Sequence, residues 1–188
     1  IQNGNATSVV TLTKTGSGTL TLSGANTYTG VTTISAGTLQ FAKEVSLYNN
    51  DTASWTVVNI IVSSAATMAF NVGGVGEFTS ADVDTLKALG TAGGGFKSGS
   101  ILGFDTTNAI GGNFTYLSII GNPNIGANIL GLIKLGTNIL TLSGVNTYTG
   151  LTTISAGTLK LGAAGDATNT PLGTTTAGTV VSDGAALD

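Results

Sequence analysis

The chain has 188 residues, of which 41% are apolar and only 8% are charged, and its net charge is −3 with no arginine, histidine or cysteine. These absences exclude histidine-based nucleophilic triads, zinc–thiolate sites and disulfide scaffolds, and the lack of a basic patch argues against nucleic acid as a partner. The apolar fraction is high enough for folding, but no apolar run approaches the roughly 18 residues of a membrane-spanning helix, so this segment is not expected to insert into a membrane.

Short runs that alternate apolar and hydroxyl residues occupy the first forty positions. In residues 19–23, Leu20 and Leu22 fall on one face of an extended chain. A turn bounded by glycines follows, and two more such runs occur at 31–35 and 38–41. Strands of four to six residues separated by glycine turns predict a sheet protein.

The middle of the chain is less regular but keeps this character. One helix is predicted at residues 80–90, where apolar residues recur every three positions and Gly90 ends the pattern. Asp82 and Asp84 lie near its start, where carboxylates complement the positive end of a helix. Further strands are predicted at 55–62, 67–72, 100–105, 114–120, 130–135 and 179–182.

One stretch of the chain occurs twice. Residues 12–41 (LTKTGSGTLTLSGANTYTGVTTISAGTLQF) and 132–161 (LIKLGTNILTLSGVNTYTGLTTISAGTLKL) are identical at 21 of 30 positions. Duplication of a strand–turn–strand unit favours a solenoid over a sandwich or a barrel. We expect coils of roughly 20–25 residues, about eight in all, in a body about 40 Å long. Aliphatic ladders should lie inside, threonine ladders outside and asparagine ladders at the turns.

The string GSGTLTLSGANTYTGVTTISAGTLQ, residues 16–40, resembles the autotransporter-associated β-strand repeat, also called the passenger-associated transport repeat. The resemblance covers both copies, and residues 157–188 are similar to its usual continuation, whereas the helix-bearing spacer 42–131 is not covered. It implies an all-β fold, a right-handed parallel β-helix with one short helical insertion, forming a single solenoid segment over 1–188. It also implies part of a large exported bacterial protein, secreted or on the cell surface, whose repeat is structural.

The chain offers little for catalysis or metal binding. Asp82 and Asp84 diverge at a spacing of two on a helix, and no cluster of carboxylates suited to glycan cleavage is visible. Calcium-binding solenoids need an aspartate in every coil, but Asp166 does not recur, and residues 49–51 are typical of a turn. We therefore predict no catalytic, cofactor-binding or metal-binding residues, no cofactor and no enzymatic activity.

Tyr28 and Tyr148 occupy the same turn position in the two copies. If exposed, the two rings could stack on sugars, which makes them the candidate contact residues of the chain. The alternative is that each ring packs over its own turn and covers the edge of a coil.

Two functions compete on this sequence. The first is a non-enzymatic extracellular stalk, surface layer or filament. Because no polar cap is obvious at either end of the sequence, we expect coils to stack end to end with further copies, or to continue in a longer chain. The second is an adhesin or glycan-binding passenger module, which would contact surface glycans through the tyrosine turns or the helical insertion. A β-helix enzyme that degrades glycans is a third, disfavoured by the missing arginine and histidine.

Overall fold

The computed structural model describes residues 1–5, 7–176 and 178–188 and consists mainly of short strands. It contains one α-helix, α1 (Ser80–Lys87), and 3₁₀ turns at Glu44–Ser46, Tyr48–Asn50, Thr52–Ser54 and Ile110–Gly112. The strands are β1 (Leu12–Lys14), β2 (Thr19–Leu22), β3 (Thr32–Ile34), β4 (Thr38–Phe41), β5 (Ile60–Val62), β6 (Thr67–Asn71), β7 (Gly95–Phe96), β8 (Ser100–Asp105), β9 (Asn113–Tyr116), β10 (Leu130–Leu135), β11 (Ile139–Leu142), β12 (Thr152–Ile154), β13 (Thr158–Leu161), β14 (Asn169–Thr170), β15 (Gly173–Thr174), β16 (Thr179–Val181) and β17 (Ala186–Leu187).

These strands stack as a parallel β-helix. A central sheet has the order β2-β4-β6-β8-β10-β12-β16, and every neighbouring pair in it is parallel. An N-terminal side sheet has the order β1-β3-β5-β7, and a C-terminal side sheet has the order β9-β11-β13-β17. The strands β14 and β15 form a small antiparallel hairpin beside the stack. The predicted fold class is therefore confirmed.

The coils vary in length more than the sequence predicted. Leu132 pairs with Thr152, so the coil inside the second repeat has 20 residues (152 − 132), whereas Met68 pairs with Leu102, a coil of 34 residues (102 − 68). The seven strands of the central sheet, spaced about 4.8 Å apart, make a stack roughly 30 Å long. The prediction of about eight coils and a length of about 40 Å is wrong, because many residues of the spacer lie in return segments outside the sheets and add no coil.

Aliphatic and aromatic ladders fill the interior. One ladder of the central sheet runs through Leu39, Met68, Leu102 and Leu132, all of which are buried. Another runs through Phe41, Phe70 and Phe104, with the first two rings stacked 6.3 Å apart. The expected position of threonine outside is wrong at Thr32 and Thr152, which are fully buried inside the two repeats.

The helix begins where the sequence predicted and ends earlier, at Lys87 rather than near Gly90. Thr79 and Asp82 form a capping box, which satisfies orphan N–H groups of the first turn. In the part of the chain that the structure describes, no helix is long and apolar enough to cross a membrane.

Asp84 does not serve the helix start as the sequence suggested. Its carboxylate accepts hydrogen bonds from Tyr116 Oη (2.5 Å) and Ser118 Oγ (2.7 Å), and Lys87 lies 3.1 Å away. Burial alone would raise the pKa of Asp84, but these partners together lower it below its ordinary value. The aspartate thus ties α1 to strand β9 and the segment after it.

The two repeats lie on different faces of the β-helix. In the first copy, β1 and β3 belong to the N-terminal side sheet, while β2 and β4 belong to the central sheet. In the second copy, the equivalent strands β10 and β12 belong to the central sheet, and β11 and β13 belong to the C-terminal side sheet. The spacer therefore shifts the repeat by one face around the axis, although the two copies are identical at 21 of 30 positions.

Candidate functional site

A buried asparagine joins three coils in each repeat. Asn146 Oδ1 accepts a hydrogen bond from Ile120 N (2.7 Å) in the preceding coil, and Asn146 Nδ2 donates to Pro171 O (2.6 Å) in the following coil. In the first copy, Asn26 makes the corresponding bonds to the nitrogen of Ile1 (2.5 Å) and the carbonyl of Ser46 (2.7 Å). Because the Asn146 side chain is fully enclosed, water cannot replace these bonds, and the coils depend on them for satisfied backbone groups.

The structural repeat begins earlier than the sequence comparison of the two copies suggested. Asn122 Oδ1 accepts from Leu130 N (3.0 Å) and Thr149 N (3.1 Å), and Asn122 Nδ2 donates to Thr149 Oγ1 (2.8 Å). Asn3 makes the same three bonds before the first copy. The signal is the short pattern Ile-x-Asn-x-Asn, which reads IQNGN at 1–5 and IGNPN at 120–124. The two copies of this pattern are separated by one residue fewer than the two longer copies, so an alignment of the longer copies at a constant offset does not show it.

A lysine is buried at the corner between the two strands of each repeat. Lys134 continues the inward ladder between Phe104 and Ile154 and is fully enclosed. Its Nζ donates to the carbonyls of Leu135 (2.5 Å), Gly136 (2.7 Å) and Ala156 (3.2 Å). Lys14 makes the same three bonds at the corresponding positions of the first copy. Three acceptors match the three N–H donors of an ammonium group, so the lysine closes the corner and ties it to the next coil.

This burial gives the fold a pH dependence that can be measured. Desolvation lowers the pKa of Lys134 from its ordinary value of 10.5 to about 8, and the nearby Asp105 charge opposes the shift. Between these two pH values the folded chain has released a proton that the unfolded chain still holds. The free energy of unfolding should therefore rise with pH in this window, by up to about 1.4 kcal/mol per pH unit.

The buried tyrosines determine the pH above which the free energy of unfolding stops rising. Burial raises the pKa of Tyr148 to about 12 and also raises the pKa of Tyr28 above its ordinary value of 10. Above pH 10 the unfolded chain loses phenolic protons first, so stability should fall again. Urea unfolding across this pH range measures both effects. Lys134→Met should abolish the increase in unfolding free energy above pH 8 but keep the decrease above pH 10. A wild-type profile that is flat between pH 8 and pH 10 would contradict the expectation.

Tyr28 and Tyr148 lie inside the coils. Their exposed fractions are 1% and 0%, and each hydroxyl is hydrogen-bonded to a buried threonine, Thr32 Oγ1 (2.7 Å) and Thr152 Oγ1 (2.6 Å) respectively. A sugar can stack only on an exposed ring face, so an exposed contact through these residues is not consistent with this structure. Each ring is instead enclosed, and its hydroxyl contacts the threonine four residues further on in the same repeat. The sequence did not show which way the turn folds.

The carboxylates considered for metal binding serve their own turns. Asp51 accepts from Ala53 N and Ser54 Oγ, and Asp166 accepts from backbone nitrogens of its own loop. Within residues 1–5, 7–176 and 178–188, no group of three or more His, Cys, Asp or Glu side chains is placed to hold a metal ion.

The geometry common to the two copies coincides with a known family pattern. Residues 12–41 and 132–161 both match the family model described as Passenger-associated-transport-repeat. The chain carries two passenger-associated transport repeats. The resemblance drawn from the sequence is confirmed. Lys134, Asn146, Tyr148 and Thr152 lie within the matched residues, as do their counterparts in the first copy, whereas Asn3 and Asn122 lie just before them.

A curated relative extends the similarity beyond the repeats. The chain is 31% identical over 178 residues to the protein named Adhesin BmaC autotransporter from Brucella suis biovar 1 (strain 1330). The match covers 87% of this chain but only 4% of that protein. No solved structure matches the chain. Together the passenger-associated transport repeats and this relative support an autotransporter passenger repeat protein, secreted or on the cell surface.

Proposed function

We propose that this segment is a non-enzymatic structural module of an extracellular passenger, which builds a stalk, a surface layer or a self-stacking filament. The observation that carries the proposal is that polar side chains of the repeat point into the β-helix rather than out to solvent. Lys134, Asn146 and Tyr148 all point inward and make hydrogen bonds within a coil or between coils. A repeat whose polar groups couple neighbouring coils favours a stiff rod over a reactive surface.

Growth along the axis fits the open edges of the central sheet. Within the described residues, β2 and β16 each pair with a single strand of that sheet. The backbone groups on the other side of such an edge strand can accept a further strand. That strand would come from more of the same polypeptide or from a second copy, which gives either a longer rod or a filament.

Electron microscopy of the purified chain tests this proposal. Long filaments with a strand spacing of about 4.8 Å support end-to-end growth. Thr179→Pro should shorten them, because Thr179 lies in the edge strand β16 and proline cannot donate to an added strand. A chain that stays monomeric at high concentration with a folded β spectrum would overturn the filament, and hydrolysis of a glycan by the purified chain would overturn the non-enzymatic role.

Adhesion is the second candidate, and the printed name of the Brucella relative favours it. With Tyr28 and Tyr148 enclosed, the contact would lie on the helical insertion, whose outer side presents Ala81 and Thr85 to solvent. A glycan array is the direct test. Thr85→Arg should weaken binding without lowering the melting temperature, and a wild-type chain that binds no glycan above background would reject glycan adhesion.

A further inference from the structure

The most unusual exposed residue is Ile125. It lies in the return segment 117–129, between strands β9 and β10, and its side chain is completely exposed, at 108% of the reference area. Its backbone φ of 53° is in the left-handed region, where a β-branched residue is a genuine outlier. Asn124 before it and Gly126 after it also have positive φ, 56° and 86°. Ala127 N donates to Asn124 O (3.0 Å), so Ile125 and Gly126 are the central residues of a tight turn, a place where glycine or asparagine is ordinarily found.

The turn is firmly anchored at its base. Asn128 N donates to Pro123 O (3.1 Å), and Asn128 Nδ2 donates to Phe96 O (2.8 Å) and Thr91 O (3.1 Å) of the preceding coil. Asn128 is itself buried. A strained conformation held by such contacts, with an apolar side chain at its tip, points to a side chain that is presented for a contact.

An apolar pocket lies on the same part of the molecule. Its volume is about 250 Å³, and Ile129, four residues after Ile125, forms part of its wall. The pocket exists because glycines leave its floor open on the outer face of the central sheet. Its principal lining residues are Gly99, Ile101, Ile129, Gly131, Ile133 and Leu151, and none of its lining residues is charged.

The Ile125 side chain, which we call the knob, and the pocket are complementary in size and chemistry. An apolar cavity of roughly 150 Å³ already holds a benzene ring, so this pocket has room for an isoleucine side chain. A pocket without charges disfavours a charged or strongly polar occupant. Leu151, which belongs to the second repeat and is half exposed, forms another part of the pocket wall.

We propose that Ile125 of one chain inserts into this pocket of a second copy, and that the two copies pair side by side. Ile129, which lines the pocket, is only four residues after Ile125. In a two-fold arrangement, Ile125 of each copy can therefore enter the pocket of the other copy. Leu117 and Ile119, exposed in the same return segment, add apolar surface to that segment. This lateral pairing is independent of growth along the axis.

Disulfide trapping tests the contact directly, because the chain has no cysteine of its own. Chains carrying Ile125→Cys are mixed with chains carrying Leu151→Cys and oxidised. We expect a mixed disulfide dimer in at least about tenfold greater yield than from Ile125→Cys mixed with Val75→Cys, a control at another exposed apolar residue. Equal yields from the two mixtures would overturn the proposal.

Sedimentation measures the same contact without cysteines. Ile125→Asn removes the apolar side chain but suits the left-handed backbone, so it should keep or improve stability while weakening the lateral dimer by about tenfold or more. Val75→Asn should leave the dimer unchanged. A wild-type chain without concentration-dependent pairing, or a dimer that Ile125→Asn does not weaken, would overturn the contact. Thr179→Pro addresses the filament alone, so failure of one form of association is distinguishable from failure of the other.

Discussion

Replacing Gly157 by alanine should destabilise the fold by about 2–5 kcal/mol. Gly157 lies at the corner that the Lys134 ammonium closes, with a backbone φ of 64°. A Cβ there would lie 2.6 Å from the carbonyl oxygens of both Gly136 and Asn138 in the coil below. The substitution therefore adds a left-handed backbone penalty to a collision with backbone that cannot move without separating two coils.

A matched control separates the two contributions. Gly184 has a similar φ of 76°, but a Cβ there would meet no atom within 4 Å. Gly184→Ala should therefore cost only the backbone term, about 1–2 kcal/mol. Urea unfolding followed by circular dichroism measures both variants. Equal losses at the two glycines would show that contact between coils does not determine the cost.

Removing the Asn146 side chain should be similarly severe, with a loss of about 2–6 kcal/mol for Asn146→Ala. The variant leaves the Ile120 N–H and the Pro171 carbonyl without their partners inside the structure. Each buried group that loses its hydrogen bond costs about 1–3 kcal/mol. Hydrogen exchange should show faster opening of the coils on both sides of the substitution, because the asparagine contacts both.

Asn122→Ala is the control for this prediction. Asn122 makes three side-chain hydrogen bonds, one more than Asn146, but its side chain is partly exposed, so water can satisfy the groups that it leaves. We expect a loss smaller than about 1.5 kcal/mol and faster exchange only near Leu130 and Thr149, whose amides donate to Asn122. A larger loss at Asn122 than at Asn146 would contradict the role of the buried bridge.

The sequence was most informative where a local pattern determines the outcome. The alternating run at 38–41 forms strand β4 with Leu39 and Phe41 buried, and the predicted helix begins at Ser80 as expected. The sequence was least informative where distant coils determine the environment. Nothing local shows that Tyr148 turns inward to meet Thr152, because that depends on which coil covers the turn.

The buried polar groups were missed for the same reason. Nothing in the sequence marks Lys134 as buried, because its three acceptors are backbone carbonyls, which every sequence has. Asp84 has the spacing of a helix-start residue, but Tyr116 and Ser118, its partners, lie about thirty residues further on in the next coil. Their meeting depends on the length of the intervening return, and no motif encodes that length.

The shift of the repeat from one pair of sheets to the next has a consequence for how such a passenger meets its surroundings. Two segments that are identical at 21 of 30 positions point in different directions around the axis of the β-helix, because β1 and its counterpart β10 belong to different sheets. A molecule that recognises the outer side of one copy must approach the other copy from another side. A spacer such as residues 42–131 thus acts as an angular offset, which presents one repeated surface on two faces of the β-helix rather than along a single line.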